Sequence, residues 1–359
     1  MKKIFFTPGP SELYPTVKKH IQNCLKDDIL SISHRGSQFG KIYSQTETGL
    51  KNLLSIPKDY FIFFLSSGTE AMERIIENCA EEKSFHFISG AFGDKFYEIA
   101  SLLGKNPQKY AIDVNKIFLK KGFILNNFPE LICFTQNETS NGWSFPLNII
   151  YDFKNKNPSS IVAVDIVSSV PCINMDFSLI DIAFFSVQKG FGLPAGLAVL
   201  VVGPQAYEKA LKLERKAKTI GSYHSFLTLR NYVKKNQTPE TPNILAIYLL
   251  GKVTQDMQKI GIKKIRNNTQ QKAAKIYEVL EQCKTLKPYI RLKNYRSQTV
   301  IVAQGKNIDR IHTALSNLNI IAGKGYGKDK DCTIRIANFP AHSEADIDRL
   351  IYGLNKLIE

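Results

Sequence analysis

With 359 residues, 43% of them apolar, the chain exceeds one ordinary hydrophobic core and has room for two domains that share a cleft. It contains no run of eighteen apolar residues, and the apolar stretch near Met1 is too short for a secretory leader, so a cytoplasmic protein that engages no membrane is expected. The formal net charge of +16 invites a nucleic-acid reading. The lysines, however, are spread along the chain, with local groups at Lys209–Lys218 and Lys252–Lys275 and no nucleic-acid motif around them, so solvated helix faces are expected. Such a field also draws small anionic substrates toward a cleft.

In chain order, runs that are apolar on both faces fall at Tyr60–Leu65, Phe85–Ile88, Leu131–Thr135, Ile161–Asp165, Ile182–Val187 and Ala198–Val202, separated by helix-length segments. That pattern predicts a largely parallel sheet covered by helices, an α/β domain. Between the first two runs, Ala71, Ile75, Ile76, Cys79 and Ala80 recur at helical spacing, and Gly68-Thr69-Glu70 opens that helix. Past Pro242 the texture turns helix-rich from Ile244 to about Cys283. Beyond Pro288, strand-like pieces at Gln298–Ala303 and Thr333–Ala337 mix with helices at Ile308–Leu318 and Ser343–Leu357, as in a compact α+β unit. The expected division is a large domain over 16–243 and a small C-terminal domain over 244–359, joined by an N-terminal segment, 1–15. The six cysteines (Cys24, Cys79, Cys133, Cys172, Cys283, Cys332) form no C-x-x-C pair and read as reduced core residues, not a disulfide framework or a zinc site.

Two polar residues stand at the ends of apolar runs. Lys189 follows Ile182–Val187 and opens a glycine-rich turn. An ammonium held among apolar walls loses part of its preference for the charged form, and a neutral amine attacks aldehydes. Asp165 ends Ile161–Asp165, so a carboxylate and an amine come to one edge of one sheet, where ligands of open α/β sheets bind. A carboxylate paired with a pyridine nitrogen keeps that ring protonated and electron-withdrawing, which suggests pyridoxal phosphate; a helix cap is the alternative for Asp165.

Other candidates lie just beyond predicted strands. Ser66-Ser67-Gly68-Thr69 leads into a helix whose free N–H groups, dipole and Thr69 hydroxyl make a phosphate seat or an ordinary cap. Thr139, in Gln136-Asn137-Glu138-Thr139-Ser140-Asn141-Gly142, is placed to meet a ring hydroxyl or to form a turn. Phe92, in Gly90-Ala91-Phe92-Gly93-Asp94, offers a face for the cofactor or a core aromatic. Arg335 lies inside an apolar strand pattern, where a guanidinium needs an anion: a substrate carboxylate or a structural partner. His34 and Arg35 read alternatively as a surface loop.

Taken together, TPGPSELYP at Thr7, SHRGSQF at Ser33, SSGTEAME at Ser66, QNETSNG at Gln136, VDIVSS at Val164, SVQKG at Ser186 and IRIANFP at Ile334 make the chain resemble, over essentially its whole length, the class-V aminotransferases among the fold-type I pyridoxal-phosphate enzymes. The resemblance implies a large domain with a mostly parallel, seven-stranded type of sheet sandwiched by helices, plus a small α+β domain. It also implies pyridoxal 5'-phosphate as cofactor, with Lys189 as the Schiff-base lysine and Asp165 as the ring-nitrogen partner. Thr139 would meet the ring hydroxyl and Phe92 the ring face, with Gly68, Thr69 and Gln188 around the phosphate and ring. Homodimers with shared sites are implied, the segment 237–243 reaching the neighbouring cofactor phosphate through Thr241, with Thr238 as the alternative.

Within the group the phosphoserine aminotransferases are most similar, which implies exchange of an amino group between glutamate and 3-phosphohydroxypyruvate in serine biosynthesis. Serine–pyruvate or alanine–glyoxylate aminotransferases are the runner-up. Arg335 would then hold the α-carboxylate, and His34 and Arg35, from the partner subunit, the phosphate or side-chain carboxylate. The sequence departs from that pattern twice. Lys324-Gly325-Tyr326-Gly327-Lys328 stands where a His-Arg pair is common, so Lys324 or Lys328 would have to substitute, and Phe92 stands where tryptophan is frequent.

Overall fold

The computed structural model describes residues 2–118 and 129–356. Its first strand, β1 (Ile4–Phe6), belongs to a sheet completed only near the other end of the chain. The next seven, β2 (Phe61–Leu65), β3 (Lys83–Ile88), β4 (Asn106–Ala111), β5 (Leu131–Thr135), β6 (Ile161–Asp165), β7 (Ile182–Ser186) and β8 (Ala198–Val202), form one sheet in the order β2-β8-β7-β6-β5-β3-β4. Every neighbouring pair from β7 through β6, β5 and β3 to β4 is parallel. Strand β8 runs antiparallel to both β7 and β2, so β2 points the same way as the parallel set.

All residues of β5, β6, β7 and β8 are buried. Because side chains alternate across a strand, each strand feeds two cores. Ile132, Phe134, Val162 and Val164 enter one, and Leu131, Cys133, Ile161 and Ala163 the other. The carboxyl ends of β2, β3, β5, β6 and β7 therefore share one edge, and the turns after them carry Gly68, Gly90, Thr139 and Lys189, with Asp165 closing β6 itself.

A second sheet joins β1 to β9 (Leu286–Pro288), β10 (Val300–Gly305), β11 (Ile320–Lys324) and β12 (Thr333–Ala337) in the order β1-β11-β12-β10-β9. Only β1–β11 is parallel. Its helix-covered face holds Ile4, Phe6, Ile276, Leu280, Ile301, Ile334, Ile336 and Leu350.

The helix-rich segment is present as expected, and the cysteine reading needs one adjustment. The helix-rich segment is two helices, Ile244–Ile260 and Ile262–Gln282, broken at Gly261, whose φ of 90° is a left-handed value that glycine takes without strain. The first places Ile247, Leu250, Val253 and Met257 in the core of the large sheet, whereas the second sends Ala273, Ile276 and Leu280 to the small sheet. The cysteines are free thiols, but Cys332 is exposed and not a core residue, since it sits in the turn before β12. Among the described residues no helix is long and apolar enough to cross a membrane.

Candidate functional site

Lys189 leaves the end of β7 buried, 6% exposed, and its Nζ donates to Thr139 Oγ1 at 2.9 Å. The same Nζ stands 5.2 Å from the centre of the Phe92 ring. Burial lowers the pKa of this amine; Asp165 and Glu138 pull it back up, and Arg335 pushes it further down. Asp165, also buried, is driven the other way: desolvation raises its pKa, while the Val167 N–H, donating to Oδ1 at 2.8 Å, and Lys189 oppose the rise. Each member of the pair is thus drawn toward its neutral form by burial and toward its charged form by the other.

The segment 136–142 holds the amine's partner in place. Glu138 is fully buried, and its carboxylate accepts from the N–H groups of Phe92, Gly93 and Ser140 and from the Ser140 hydroxyl. It caps the start of the helix Ala91–Leu102, where the dipole favours a negative charge, and so locks the Phe92 backbone to the Thr139 turn. The sequence pattern does not single out Glu138, because a carboxylate in a turn ordinarily reads as solvated. Gly9 is a second residue that the pattern did not single out. With φ of 140°, it packs so closely on the lysine that an added Cβ would lie 2.9 Å from Lys189 Cε. The Ser11 N–H donates to the Gln188 carbonyl at 3.2 Å, so the N-terminal segment lies along the lysine turn.

Arg335 approaches from β12. Its Nε donates to the Lys324 carbonyl at 2.7 Å, its Nη1 to the Thr139 carbonyl at 3.3 Å, and its guanidinium carbon stands 5.3 Å from the Tyr326 ring centre. These contacts fix the plane of the guanidinium, and none of them uses Nη2. Burial lowers its pKa, countered by Tyr326 and Glu138.

The helix Gly68–Cys79 starts at the same sheet edge, with the Ser67 hydroxyl accepting from the Glu70 N–H at 3.1 Å. The Gly68 N–H is already given to Ser186 Oγ at 3.0 Å, so the contribution of Gly68 is mainly space, and exposed Thr69 presents the first free turn. Glu70 accepts from the Ser66 N–H at 2.8 Å and pairs with His224, whose other ring nitrogen meets Glu240 at 2.9 Å. Burial lowers the His224 pKa, but the carboxylates of Glu240 and Glu70 outweigh it and raise it to about 9. Ser66, Glu70, His224, Glu240 and Thr241 line a cavity of about 410 Å³.

Thr241 is exposed there, whereas Thr238 is 2% exposed and donates its hydroxyl to the Glu240 carbonyl at 2.8 Å. Arg35 donates to the carbonyls of Thr238 at 2.6 Å and Pro239 at 2.9 Å, and lies 4.9 Å from the Tyr232 ring centre. Within one chain, then, Lys189, Asp165, Thr139, Phe92 and Arg335 come together. Arg35 belongs instead with the 237–241 loop, and His34, half-buried, precedes it in the chain. Gln188, half-buried beside Lys189, keeps a buried Oε1 that has no hydrogen-bond partner among the described residues.

The chain is similar to proteins of known activity. A phosphoserine aminotransferase of Lactococcus lactis subsp. lactis is 28% identical over 336 residues, which is 86% of each protein. The crystal structure of a phosphoserine aminotransferase from Cytophaga hutchinsonii superposes with a TM-score of 0.97 at 44% identity, covering 99% of both chains. An alanine–glyoxylate aminotransferase from Nostoc sp. shares the fold at a TM-score of 0.85 with 21% identity, covering 100% of this chain and 96% of that one. The class-V aminotransferase family pattern matches residues 4–350, and the chain belongs to that family.

Proposed function

We propose that this protein uses pyridoxal 5'-phosphate to move an amino group between glutamate and 3-phosphohydroxypyruvate, giving 2-oxoglutarate and phosphoserine. The observation that carries this reading is the buried Lys189 amine, held between Thr139 and Phe92, with Asp165 at the end of the next strand and Arg335 anchored on the Thr139 turn. The 44% identity to a phosphoserine aminotransferase supports the substrate.

The donor set suits the cofactor. It offers an amine that burial keeps reactive, a carboxylate for a ring nitrogen, the unpartnered Gln188 Oε1 and a helix start for a phosphate. When bound, the cofactor supplies an aldehyde for the lysine and an electron-withdrawing ring that stabilises negative charge at the substrate α-carbon.

The chain's own groups do the rest. Lys189 Nζ takes the α-proton of the amino acid and later returns one, acting as base and then as acid. Thr139 orients that amine, Arg335 holds the α-carboxylate through its open Nη2 edge, and Phe92 covers the ring face. Thr241, exposed on a loop that Arg35 ties down, reaches the cofactor phosphate of a second copy in a homodimer. His34 and Arg35 present their edge to that same neighbouring site. By packing, we place the boundary between the two domains near Gly261, because the helix before it fills the large core. Serine biosynthesis in the cytoplasm is the setting this reading implies.

The replacement of the usual His-Arg pair at 324–328 favours a second reading, an unphosphorylated amino donor such as serine or alanine. A half-reaction screen of the yellow protein with phosphoserine, glutamate, serine and alanine tests both. Spectral conversion by phosphoserine and glutamate is expected; conversion by serine or alanine without phosphoserine would overturn the specificity.

A further inference from the structure

A second cavity, of about 580 Å³, lies where the start of the helix Ile262–Gln282 meets turns of the large sheet. None of Lys189, Asp165, Thr139 and Arg335 lines it, so it is separate from the site described above, and its volume suits a small molecule. One wall is a helix face, since Lys263, Arg266, Asn267 and Gln270 recur at the spacing that puts side chains on one side. Gln136 and Ser169, from the turns after β5 and β6, and Asn294 and Gln298, ahead of β10, also line it.

The charge of this cavity is one-sided. Among the described residues it is lined by the cations Lys263, Arg266 and Arg296 and by no carboxylate. Glu281 pairs with Arg296. Arg266 has no such partner: its Nε donates to the Pro171 carbonyl at 3.2 Å and its Nη1 to the Asn174 side chain, while its Nη2 makes no hydrogen bond among the described residues. Burial lowers its pKa, countered by Cys172. Lys263, exposed, has neither an ion pair nor a hydrogen bond among the described residues. Helix stability does not account for this placement. The first turn of Ile262–Gln282 carries Lys263 and Lys264, has no acidic residue and has no side-chain cap, so cations sit at the positive end of the helix dipole.

A buried amide points to a ligand independently. Gln136 is 4% exposed, and its Nε2 donates to Ser144 Oγ and to the Phe145 carbonyl, both at 3.0 Å. Its Oε1 has no partner among the described residues, although a buried carbonyl oxygen ordinarily accepts at least one hydrogen bond. The side chains of Asn267, Gln270, Asn294 and Gln298 likewise make no hydrogen bonds among the described residues. The cavity therefore combines unpaired positive charge with spare amide donors and acceptors.

We propose that this cavity is a second binding site, for a small hydroxylated phosphate monoester, with the phosphate on Arg266 and Lys263 and the hydroxyls on the surrounding amides, one of them donating to Gln136 Oε1. A dianion matches two unpaired cations beside a helix start, and the open Nη2 of Arg266 supplies a charge-assisted hydrogen bond to a phosphate oxygen. An apolar ligand would leave the amides unpaired, and a cationic one would meet like charge.

The test titrates glycerol 3-phosphate, inorganic phosphate and glycerol into the holoenzyme by calorimetry, and repeats the titrations with Lys263→Gln and Arg266→Gln. Lys263 makes no contact that holds the fold, so a loss in Lys263→Gln reads binding and not unfolding. Saturable binding of glycerol 3-phosphate is expected, tighter than that of inorganic phosphate or glycerol and weakened about fivefold or more in each variant. No binding by the wild type, or unchanged affinity in either variant, would overturn the inference; the latter would place the ligand in the Lys189 site. Glycerol or inorganic phosphate binding as tightly as glycerol 3-phosphate would also overturn it, because the charge or the amides would then play no part.

Discussion

At the scale of single residues, the proposed chemistry depends on one amine and the groups that set its charge. Burial lowers the Lys189 pKa and Asp165 resists that fall. In Asp165→Asn the resisting charge is gone, so the pH midpoint for reaction of the cofactor-free protein with an aldehyde is expected to move down relative to wild type; a midpoint that stays or rises would remove Asp165 from its role. On the proposed role, Lys189→Ala loses both the covalent anchor and the proton carrier. Its turnover should fall by more than the roughly 10²–10⁴ attributed to acid–base work alone, measured as single-turnover rates. Gly9 bears on the same amine from outside: Gly9→Ala would press a methyl against Lys189 Cε and is expected to weaken cofactor retention on dialysis.

At the scale of elements, the site is assembled by strand ends and held by buried charges between helices and loops. Gly190, the residue after the lysine, allows no side chain, because an added Cβ would lie 1.8 Å from the Val170 carbonyl. Both sides of that contact are backbone, so Gly190→Ala is expected to destabilise the protein by about 3 kcal/mol or more, read from denaturant midpoints.

His224 ties the helix Gly68–Cys79, through Glu70, to the Glu240–Thr241 loop. Its folded pKa of about 9 lies above the ordinary 6.5. The stabilisation is therefore complete below pH 6.5 and is lost as pH rises through 9. Allowing for solvent screening, the loss should be on the order of 1–2 kcal/mol. His224→Gln should show no such loss across that window; equal pH profiles for the two proteins would contradict the tie.

At the scale of the whole molecule, how much could be read from the sequence followed from where each residue's partners lie. Strands β5, β6 and β8 were legible to the residue because both of their faces are buried and their side chains are mostly β-branched or aromatic. Strand β4, Asn106–Ala111, was not, since an exposed edge strand containing Pro107 and Lys109 carries no apolar pattern. Strand β1 is three residues long and finds its partner at Ile320–Ala322, a pairing that no local signal encodes.

The site divides in the same way. Lys189 and Asp165 stand out as polar residues at the ends of apolar runs. Glu138 does not, because its significance lies in a contact with a residue 46 positions away. The basic charge of the chain, spread along its length, leaves the choice of an anionic substrate to local groups, of which Arg335 is the proposed one.

The central claim is that the side chain at position 189 carries the cofactor, and reduction of the reconstituted protein with borohydride followed by peptide mapping tests it most directly. A single pyridoxyl label on Lys189 is the expected result. A label on another lysine, or none on fully reconstituted protein, would contradict the account.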